Sequence, residues 1–203
     1  MIVINGRVLM NSSANRSEIA LGESSCRAVA SRQRPRVLIG GLGMGLTLRA
    51  ALYSLPPTAR VVVAELNPVV VQWCRGPLAE LTGSAVDDRR VTVAIADVSS
   101  VIANAAQPGA EKFDAVILDL YEGPHATTDA KDDPFYGSQA LKVTASALSP
   151  GGVFAVWGES SDVAFEKRLA AAGFSVGRKR PGRGGLRHVV YAAQVKKEPE
   201  RRC

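Results

Sequence analysis

Three acidic residues each follow a short run of β-branched and apolar residues. Glu65 follows "RVVVA", Asp97 follows "RVTVAIA" and Asp119 follows "FDAVIL". If the runs are parallel strands, their carboxyl ends meet at the edge of the sheet where ligands bind. Carboxylates there can accept hydrogen bonds from ribose hydroxyls and from a base amino group, or take a proton from a nucleophile. The alternative is that each carboxylate only caps the following helix.

A glycine cluster precedes these residues in "VLIGGLGMGLTLRAAL", residues 37–52. Gly41, Gly43 and Gly45 form a GxGxG pattern that follows an apolar run and opens a helical stretch. Glycine permits tight turns and lets a ligand approach the backbone closely. The pattern differs from a dinucleotide fingerprint because Leu46 stands where a further glycine would be, and it lacks the Gly-Lys-Ser/Thr of a P-loop. Together with Glu65, 20 residues after Gly45, it predicts a nucleoside site.

Alternating strands and helices must position these groups. This alternation predicts an α/β three-layer sandwich with a mostly parallel, seven-stranded sheet. "FSVGRK" and "RHVVYAAQV" flank a glycine-rich basic turn and predict an antiparallel C-terminal hairpin. Pro68 predicts the start of a helix through "PVVVQWCRGPLAEL", and Ser161 and Gly173 are the predicted ends of another. The other predicted strands are 36–40, 60–66, 90–97, 113–120 and 152–158, and the other helices are 46–55, 98–106 and one that ends near Pro150.

The chain of 203 residues divides into three predicted segments. Residues 1–34 form a short N-terminal β/helical extension, residues 35–195 the nucleoside-binding domain, and residues 196–203 a basic tail. A chain of this length suits one domain with small additions.

The net charge of +6 is concentrated in "RKRPGRGGLR" and "VKKEPERRC". Such clusters either bind RNA or form a solvated loop and tail, and no aromatic residues are interleaved to stack on bases. The three cysteines contain no CxxC pair, so we expect no metal site and a reducing, cytoplasmic location. No signal peptide and no apolar run of about 18 residues is evident, so we expect no membrane association.

Residues 36 to 160 resemble the spermidine synthases, or polyamine aminopropyltransferases, which share the class I S-adenosylmethionine methyltransferase fold, a Rossmann-like sandwich. The matched pieces are "IGGLGMGLTLR", "VVVAELNPVVV", "DDRRVTVAIADV", "KFDAVILDLYEGP" and "LSPGGVFAVWGE".

The resemblance implies a nucleoside co-substrate, either S-adenosylmethionine or its decarboxylated form, and no metal. Glycines would line its methionine-like part, one carboxylate would hold the ribose, and a second acidic residue with its neighbour would contact adenine. The implied cofactor-binding residues are Gly41, Gly43, Gly45, Glu65, Leu66, Asp97 and Val98.

On the acceptor side, Asp119 matches the catalytic aspartate that helps to deprotonate an attacking amine. Glu122 matches a second acidic residue that binds the polyamine chain, and we place Tyr121 and His125 with it as substrate-binding residues. His125 could also act as a base near neutral pH, or be a loop residue without a role. The implied partner is a small-molecule amine, and the family implies a homodimer.

Three departures from the family pattern keep other functions open. Met44 replaces an aspartate that contacts the aminopropyl donor, Glu122 stands in a changed acidic motif, and the N-terminal segment is short and lacks the pocket-closing Gln and Tyr. The alternatives are a methyltransferase that uses S-adenosylmethionine on a small molecule or RNA, and a nucleoside-binding protein without catalytic activity.

Overall fold

A central seven-stranded sheet organises the chain in this computed structural model, which describes residues 2–4, 7–13, 15–121, 123–125, 132–181 and 188–196, with backbone alone for 2–4 and 7–10. The strand order is β5-β4-β3-β6-β7-β9-β8. Neighbours from β5 to β7 are parallel, while β9 is antiparallel to both β7 and β8. The strands are β3 (Arg36–Gly40), β4 (Arg60–Glu65), β5 (Val91–Ile95), β6 (Phe113–Leu118), β7 (Leu148–Gly158), β8 (Phe174–Lys179) and β9 (Val189–Val195).

Helices cover both faces of this sheet. The helices are α1 (Arg16–Arg27), α2 (Leu46–Ser54), α3 (Pro68–Arg75), α4 (Ala79–Thr82), α5 (Val98–Ala106), α6 (Ser138–Ala147) and α7 (Val163–Ala171), with a short 3-10 turn at Ala85–Asp87. Side chains of α1, α2 and α3 share one apolar core, and those of α5, α6 and α7 share the other. The predicted three-layer α/β sandwich with a mostly parallel sheet and an antiparallel C-terminal hairpin is confirmed.

The alternation of side chains along β3 shows why both faces are apolar. Val37 and Ile39 enter the core beneath α1 and α2, whereas Leu38 enters the core beneath α5 and α6. Successive side chains on a strand point to opposite faces, so a strand buried on both faces is apolar throughout. This accounts for the continuous apolar runs in the sequence.

The N-terminal extension contains an antiparallel pair, β1 (Ile2–Ile4) and β2 (Arg7–Met10), followed by α1. Helix α1 packs closely on α2 at Gly22. A Cβ atom at Gly22 would lie 2.5 Å from the Thr47 carbonyl oxygen and 2.9 Å from Ala50 Cβ. Glycine at this position therefore permits the two helices to touch through their backbones.

Several predicted boundaries differ from the structure: the helix predicted to end near Pro150 ends at Ala147, and β7 begins at Leu148 rather than at residue 152. Two further helix boundaries differ for a local reason. The helix that begins at Pro68 ends at Arg75, because Gly76 leaves the helical conformation and Pro77 follows it, and α4 is a separate short helix. The N-cap of α7 is Asp162 and not Ser161. The Asp162 carboxylate accepts hydrogen bonds from the backbone N–H groups of Ala164 and Phe165. Within the described part of the chain, no helix is both long and apolar enough to cross a bilayer.

Candidate active site

The glycine loop lies between β3 and α2 at the carboxyl edge of the sheet. Gly41, Gly43 and Gly45 all have positive φ angles, of 85°, 51° and 77°. A Cβ atom at Gly41 would lie 2.5 Å from the carbonyl oxygen of Asp119. The loop also joins the neighbouring strand, since the Gly41 N–H donates to the Ala64 carbonyl at 2.9 Å. Glycine is therefore required at Gly41 both by conformation and by contact.

Glu65 ties this loop to the start of α3. One carboxylate oxygen accepts the backbone N–H of Leu42 and the other that of Asn67, both at 2.9 Å. Glu65 is 9% exposed. Each carboxylate oxygen has two lone pairs, so Glu65 retains acceptor capacity for hydroxyl groups of a bound ligand. Binding of the ribose by Glu65 stays a prediction. The structure shows that Glu65 also holds the glycine loop against the start of α3.

Cys74 on α3 also contacts the glycine loop. Its thiol lies 3.4 Å from the Gly43 carbonyl oxygen. Burial, and then the charge of Glu65, raise the pKa of Cys74 to about 11. A thiol with this pKa stays protonated at neutral pH, so Cys74 packs and donates rather than reacting.

The three residues predicted to lie near adenine have different environments. Asp97 is exposed and caps α5 by accepting the Ser99 N–H at 2.8 Å, as the capping alternative predicts. Val98 is buried beneath the loop, where its side chain would meet a Cβ added to Gly40. Leu66, directly after β4, is 73% exposed. Capping occupies one oxygen of Asp97, which leaves lone pairs for a base amino group.

Asp119 follows β6 directly and faces α2. The Thr47 hydroxyl lies 2.6 Å from its Oδ2 atom. Burial raises the pKa of Asp119 to about 7, the Thr47 hydrogen bond opposes this rise, and the negative charge of Glu18 adds to it. A carboxylate with a pKa near the working pH suits a general base. This is the position that the sequence assigns to catalysis.

Glu18 of α1 belongs to the same polar cluster, although sequence reasoning missed it. Its carboxylate accepts the Ser17 hydroxyl at 2.6 Å, and its backbone carbonyl lies 3.3 Å from the Thr47 hydroxyl. His188 Nδ1 lies 3.0 Å from the Ser17 hydroxyl oxygen, and its ring packs edge-on against Trp157. The available signal in the sequence was the spacing of Glu18 and Gly22, which places both on one face of α1. The sequence did not reveal that this face packs against α2.

The predicted acceptor residues lie on the loop after Asp119. Tyr121 is 54% exposed, and its carbonyl accepts the Gly123 N–H at 2.9 Å. His125 is half-buried. Glu122 lies outside the described residues. The structure therefore brings Tyr121 and His125 onto one loop beside Asp119, without testing their contact with a substrate.

Asp133 and Tyr136 lie just before α6. Asp133 accepts the backbone N–H groups of Phe135 and Tyr136, so it stabilises the turn before α6. The Tyr136 ring is buried against Phe165, and burial with the charges of Asp133 and Asp119 raises the pKa of its hydroxyl. Tyr136 is thus a buried residue whose hydroxyl stays protonated at neutral pH.

Met44 is 1% exposed, so the residue that replaces the family aspartate lies within the protein interior. Among the described residues, no group of three or more His, Cys, Asp and Glu side chains is arranged to hold a metal ion.

Comparison with known proteins gives both sequence and structural relatives. No protein-family model matches the chain. Over 141 residues, which is 70% of this chain, it is 34% identical to a polyamine aminopropyltransferase of Mycobacterium tuberculosis. The chain spans 26% of that relative, about a quarter of its length.

Two solved structures share the fold. A spermidine synthase in complex with the transition-state analogue AdoDATO has a TM-score of 0.67 and 17% identity, covering 98% of this chain and 65% of that chain. Human methyltransferase-like protein 13 in complex with SAH has a TM-score of 0.62 and 20% identity, covering 95% of this chain and 84% of that chain. At these identities the likeness establishes the methyltransferase-type fold alone.

Proposed function

We propose that this chain, a spermidine-synthase-like protein, transfers an aminopropyl group from decarboxylated S-adenosylmethionine to a small amine. The observation that carries the proposal is the position of Asp119. Its carbonyl oxygen lies against Gly41 of the glycine loop, and its carboxylate lies against Thr47 at the start of α2. This position would bring the base next to the loop that is proposed to bind the nucleoside.

The glycine loop and Glu65 support the nucleoside half of the proposal. Gly41, Gly43 and Gly45 keep the loop free of side chains, so the donor chain can lie close to the backbone. Glu65 would accept the ribose hydroxyls with its remaining lone pairs. Asp97, with Leu66 and Val98, would contact adenine across the exposed edge near β5.

Asp119 supports the transfer half. The amine nitrogen must be uncharged to attack, and the Asp119 carboxylate would accept the proton that the nitrogen loses. The new N–C bond forms at the carbon next to the sulfonium, the C–S bond breaks, and its electron pair stays on sulfur as a neutral thioether. Since sulfonium is already a good leaving group, positioning of the two reactants supplies most of the acceleration.

The acceptor would lie on the loop after Asp119. Tyr121 is exposed there and His125 follows it, so both can line the entry for a small amine. Glu122, which lies outside the described residues, would add a negative charge. An acidic lining favours a cationic amine by electrostatic attraction.

Met44 favours a second candidate, methyl transfer from S-adenosylmethionine. Its buried side chain offers no carboxylate to the donor. The acceptor in this case would be a small molecule, or RNA attracted by the basic turn, whose residues 182–187 lie outside the described part of the chain. A nucleoside-binding protein without turnover is the third candidate.

Calorimetric titration with S-adenosylmethionine, its decarboxylated form and methylthioadenosine would separate these candidates. Tighter binding of the decarboxylated form, with an aminopropylated product detected by mass spectrometry, would support the first. Preference for the carboxylated form would replace it with methyl transfer. Turnover without an added amine acceptor, or binding of none of the three, would contradict it. The homodimer and the cytoplasmic location stay predictions. Analytical ultracentrifugation of the purified protein would test the homodimer.

A further inference from the structure

A surface cavity lies between α1 and the C-terminal hairpin of β8 and β9. Its volume is about 620 Å³. Small-molecule sites commonly have volumes of about 300 to 1,000 Å³, so the cavity can hold a small organic molecule. The described lining residues, none of which belongs to the candidate active site, are Ala20, Glu23, Ser24, Arg27, Lys179, Arg180, Pro181 and Val190.

One face of α1 forms the first wall of this cavity. The wall residues recur at intervals of three and four positions, which is the spacing of a single helical face, and they are Ala20, Glu23, Ser24 and Arg27. Gly22 lies on a different face of α1, the face that packs on α2. A ligand in the cavity would therefore contact the side of α1 that is turned away from the helix after the glycine loop.

The hairpin forms the second wall, and the alternation of side chains along β8 determines which cations line it. Lys179 pairs across the strands with Val190, which belongs to the core shared with α1 and α2. Arg178 pairs with Tyr191 of the other core and donates a hydrogen bond to Glu166 of α7 at 2.6 Å. Because directly paired residues lie on the same face of a sheet, Lys179 lies on the α1 side and Arg178 on the α7 side.

Three cations and one carboxylate line the cavity, which leaves an excess of two positive charges. Glu23 pairs with Arg27 at 2.9 Å, but both side chains are exposed, and an exposed pair of this kind contributes little. Arg180 donates a hydrogen bond to the neutral Ser161 hydroxyl at 2.9 Å. In the described ranges, no carboxylate forms an ion pair with Lys179 or Arg180. The positive charge of the cavity is therefore available to an anion.

The remaining lining is partly apolar, since it includes Ala20, Pro181 and Val190. A phosphate monoester carries between about one and a half and two negative charges at neutral pH, which matches the excess positive charge of the lining. Arginine and lysine are the side chains that bind phosphate groups most strongly. We propose that this cavity binds a small organic phosphate, with its phosphate group between the α1 cation and the two hairpin cations and its carbon portion against the apolar lining. The site lies apart from the candidate active site and does not depend on the proposed function.

The test measures binding of uridine monophosphate, inorganic phosphate and uridine by calorimetry. Uridine monophosphate is the main probe because it lacks the adenine that the candidate nucleoside site is proposed to take. The variants are Lys179→Gln and, as a matched control, Arg178→Gln, which removes the same charge from the neighbouring residue on the other face of β8. Loss of a charge-assisted contact should weaken monophosphate binding about tenfold in Lys179→Gln, with the control within about twofold of the parent protein. Inorganic phosphate should bind more weakly than the monophosphate, and uridine should not bind.

Equal monophosphate affinity in Lys179→Gln and the parent protein would overturn the proposal, as would a parent protein that binds no monophosphate. An equal loss in both variants would also overturn it, because general surface charge would then attract the anion. Urea unfolding reports whether each variant is folded, and Arg180→Gln replaces Lys179→Gln if that variant is destabilised. An oligoribonucleotide that binds about a hundredfold tighter than the monophosphate, and that is weakened equally by both variants, would replace the small ligand with RNA.

Discussion

The Thr47 hydroxyl can support Asp119 in either protonation state. It lies 2.6 Å from Asp119 Oδ2 and 3.3 Å from the Glu18 carbonyl oxygen. A hydroxyl has one proton, so Thr47 donates to Asp119 when that group is ionised. When Asp119 is protonated, its own O–H donates to Thr47, which then donates to the Glu18 carbonyl. Thr47 therefore holds the Asp119 carboxyl group in the same position in its protonated and its ionised form.

The first prediction concerns this hydrogen bond. A general base must be ionised, so transfer should increase as the pH rises through about 7, the pKa of Asp119. Thr47→Val removes a bond to the charged form and should move this limb of the pH–rate profile upward by about half a unit or more. Thr144→Val changes another buried threonine, on α6, and should leave the limb in place. If this limb of the pH–rate profile does not move in Thr47→Val, or moves to lower pH, the role given to Thr47 is contradicted.

The second prediction separates catalysis from binding at Asp119. Asp119→Asn cannot accept the amine proton, so kcat should fall by about 10² to 10⁴. Methylthioadenosine affinity should change less than about twofold, because the Asp119 side chain faces Thr47 rather than Glu65, the residue proposed to bind the ribose. Steady-state kinetics and calorimetry measure the two quantities. Full activity in the variant would rule out the catalytic assignment.

The pH dependence of unfolding gives a third prediction, independent of turnover. The folded-state pKa of Asp119 lies above its ordinary value of 3.8, so between these values the folded protein holds more protons than the unfolded chain. Its contribution to the free energy of unfolding is therefore greatest at low pH and decreases as the pH rises through about 7. Urea unfolding at pH 5.5 and 8.5 should show a larger loss in the parent protein than in Asp119→Asn. Equal losses would mean that Asp119 titrates normally.

The sequence was sufficient for the layers of the fold and for the places of the main site residues. Buried parallel strands are continuous apolar runs, so Glu65 and Asp119 could be placed at strand ends from the pattern alone. The break after Arg75 was missed because the apolar spacing continues past Gly76 and Pro77. Local backbone conformation decided that boundary, and periodicity does not report it.

The contacts of the site depend on tertiary packing that one sequence does not reveal. The segment "RSEIALGE" does not indicate that Gly22 packs against α2. Without that packing, Glu18 would be expected on the surface of a helix. Likewise, the double hydrogen bonding of Glu65 joins backbone groups 23 and two residues away. Capping was predictable for Asp97 because it is local, involving an N–H two residues later.

The fourth prediction tests the double role of Glu65. In Glu65→Gln the amide has one acceptor oxygen, so the backbone N–H of either Leu42 or Asn67 loses its partner. The loss of one such buried bond should cost about 1 to 3 kcal/mol of stability, and nucleoside binding should weaken as well. Urea unfolding and calorimetry measure these effects, with the exposed Glu80→Gln on α4 as control. A variant as stable as the control would show that the two backbone contacts contribute little.

The fifth prediction separates conformation from contact in the glycine loop. Gly41 and Gly109 both have positive φ angles, of 85° and 76°, but no atom lies within 4 Å of a Cβ built at Gly109. Gly109→Ala should therefore show the conformational cost alone, about 1 kcal/mol. Gly41→Ala adds a Cβ at 2.5 Å from the Asp119 carbonyl oxygen, so the loop and the segment that carries Asp119 must separate. We expect a cost of about 3 kcal/mol or more, with loss of nucleoside binding. Equal destabilisation of the two variants, measured by urea unfolding, would show that the loop relaxes freely and that its close approach to Asp119 is not required.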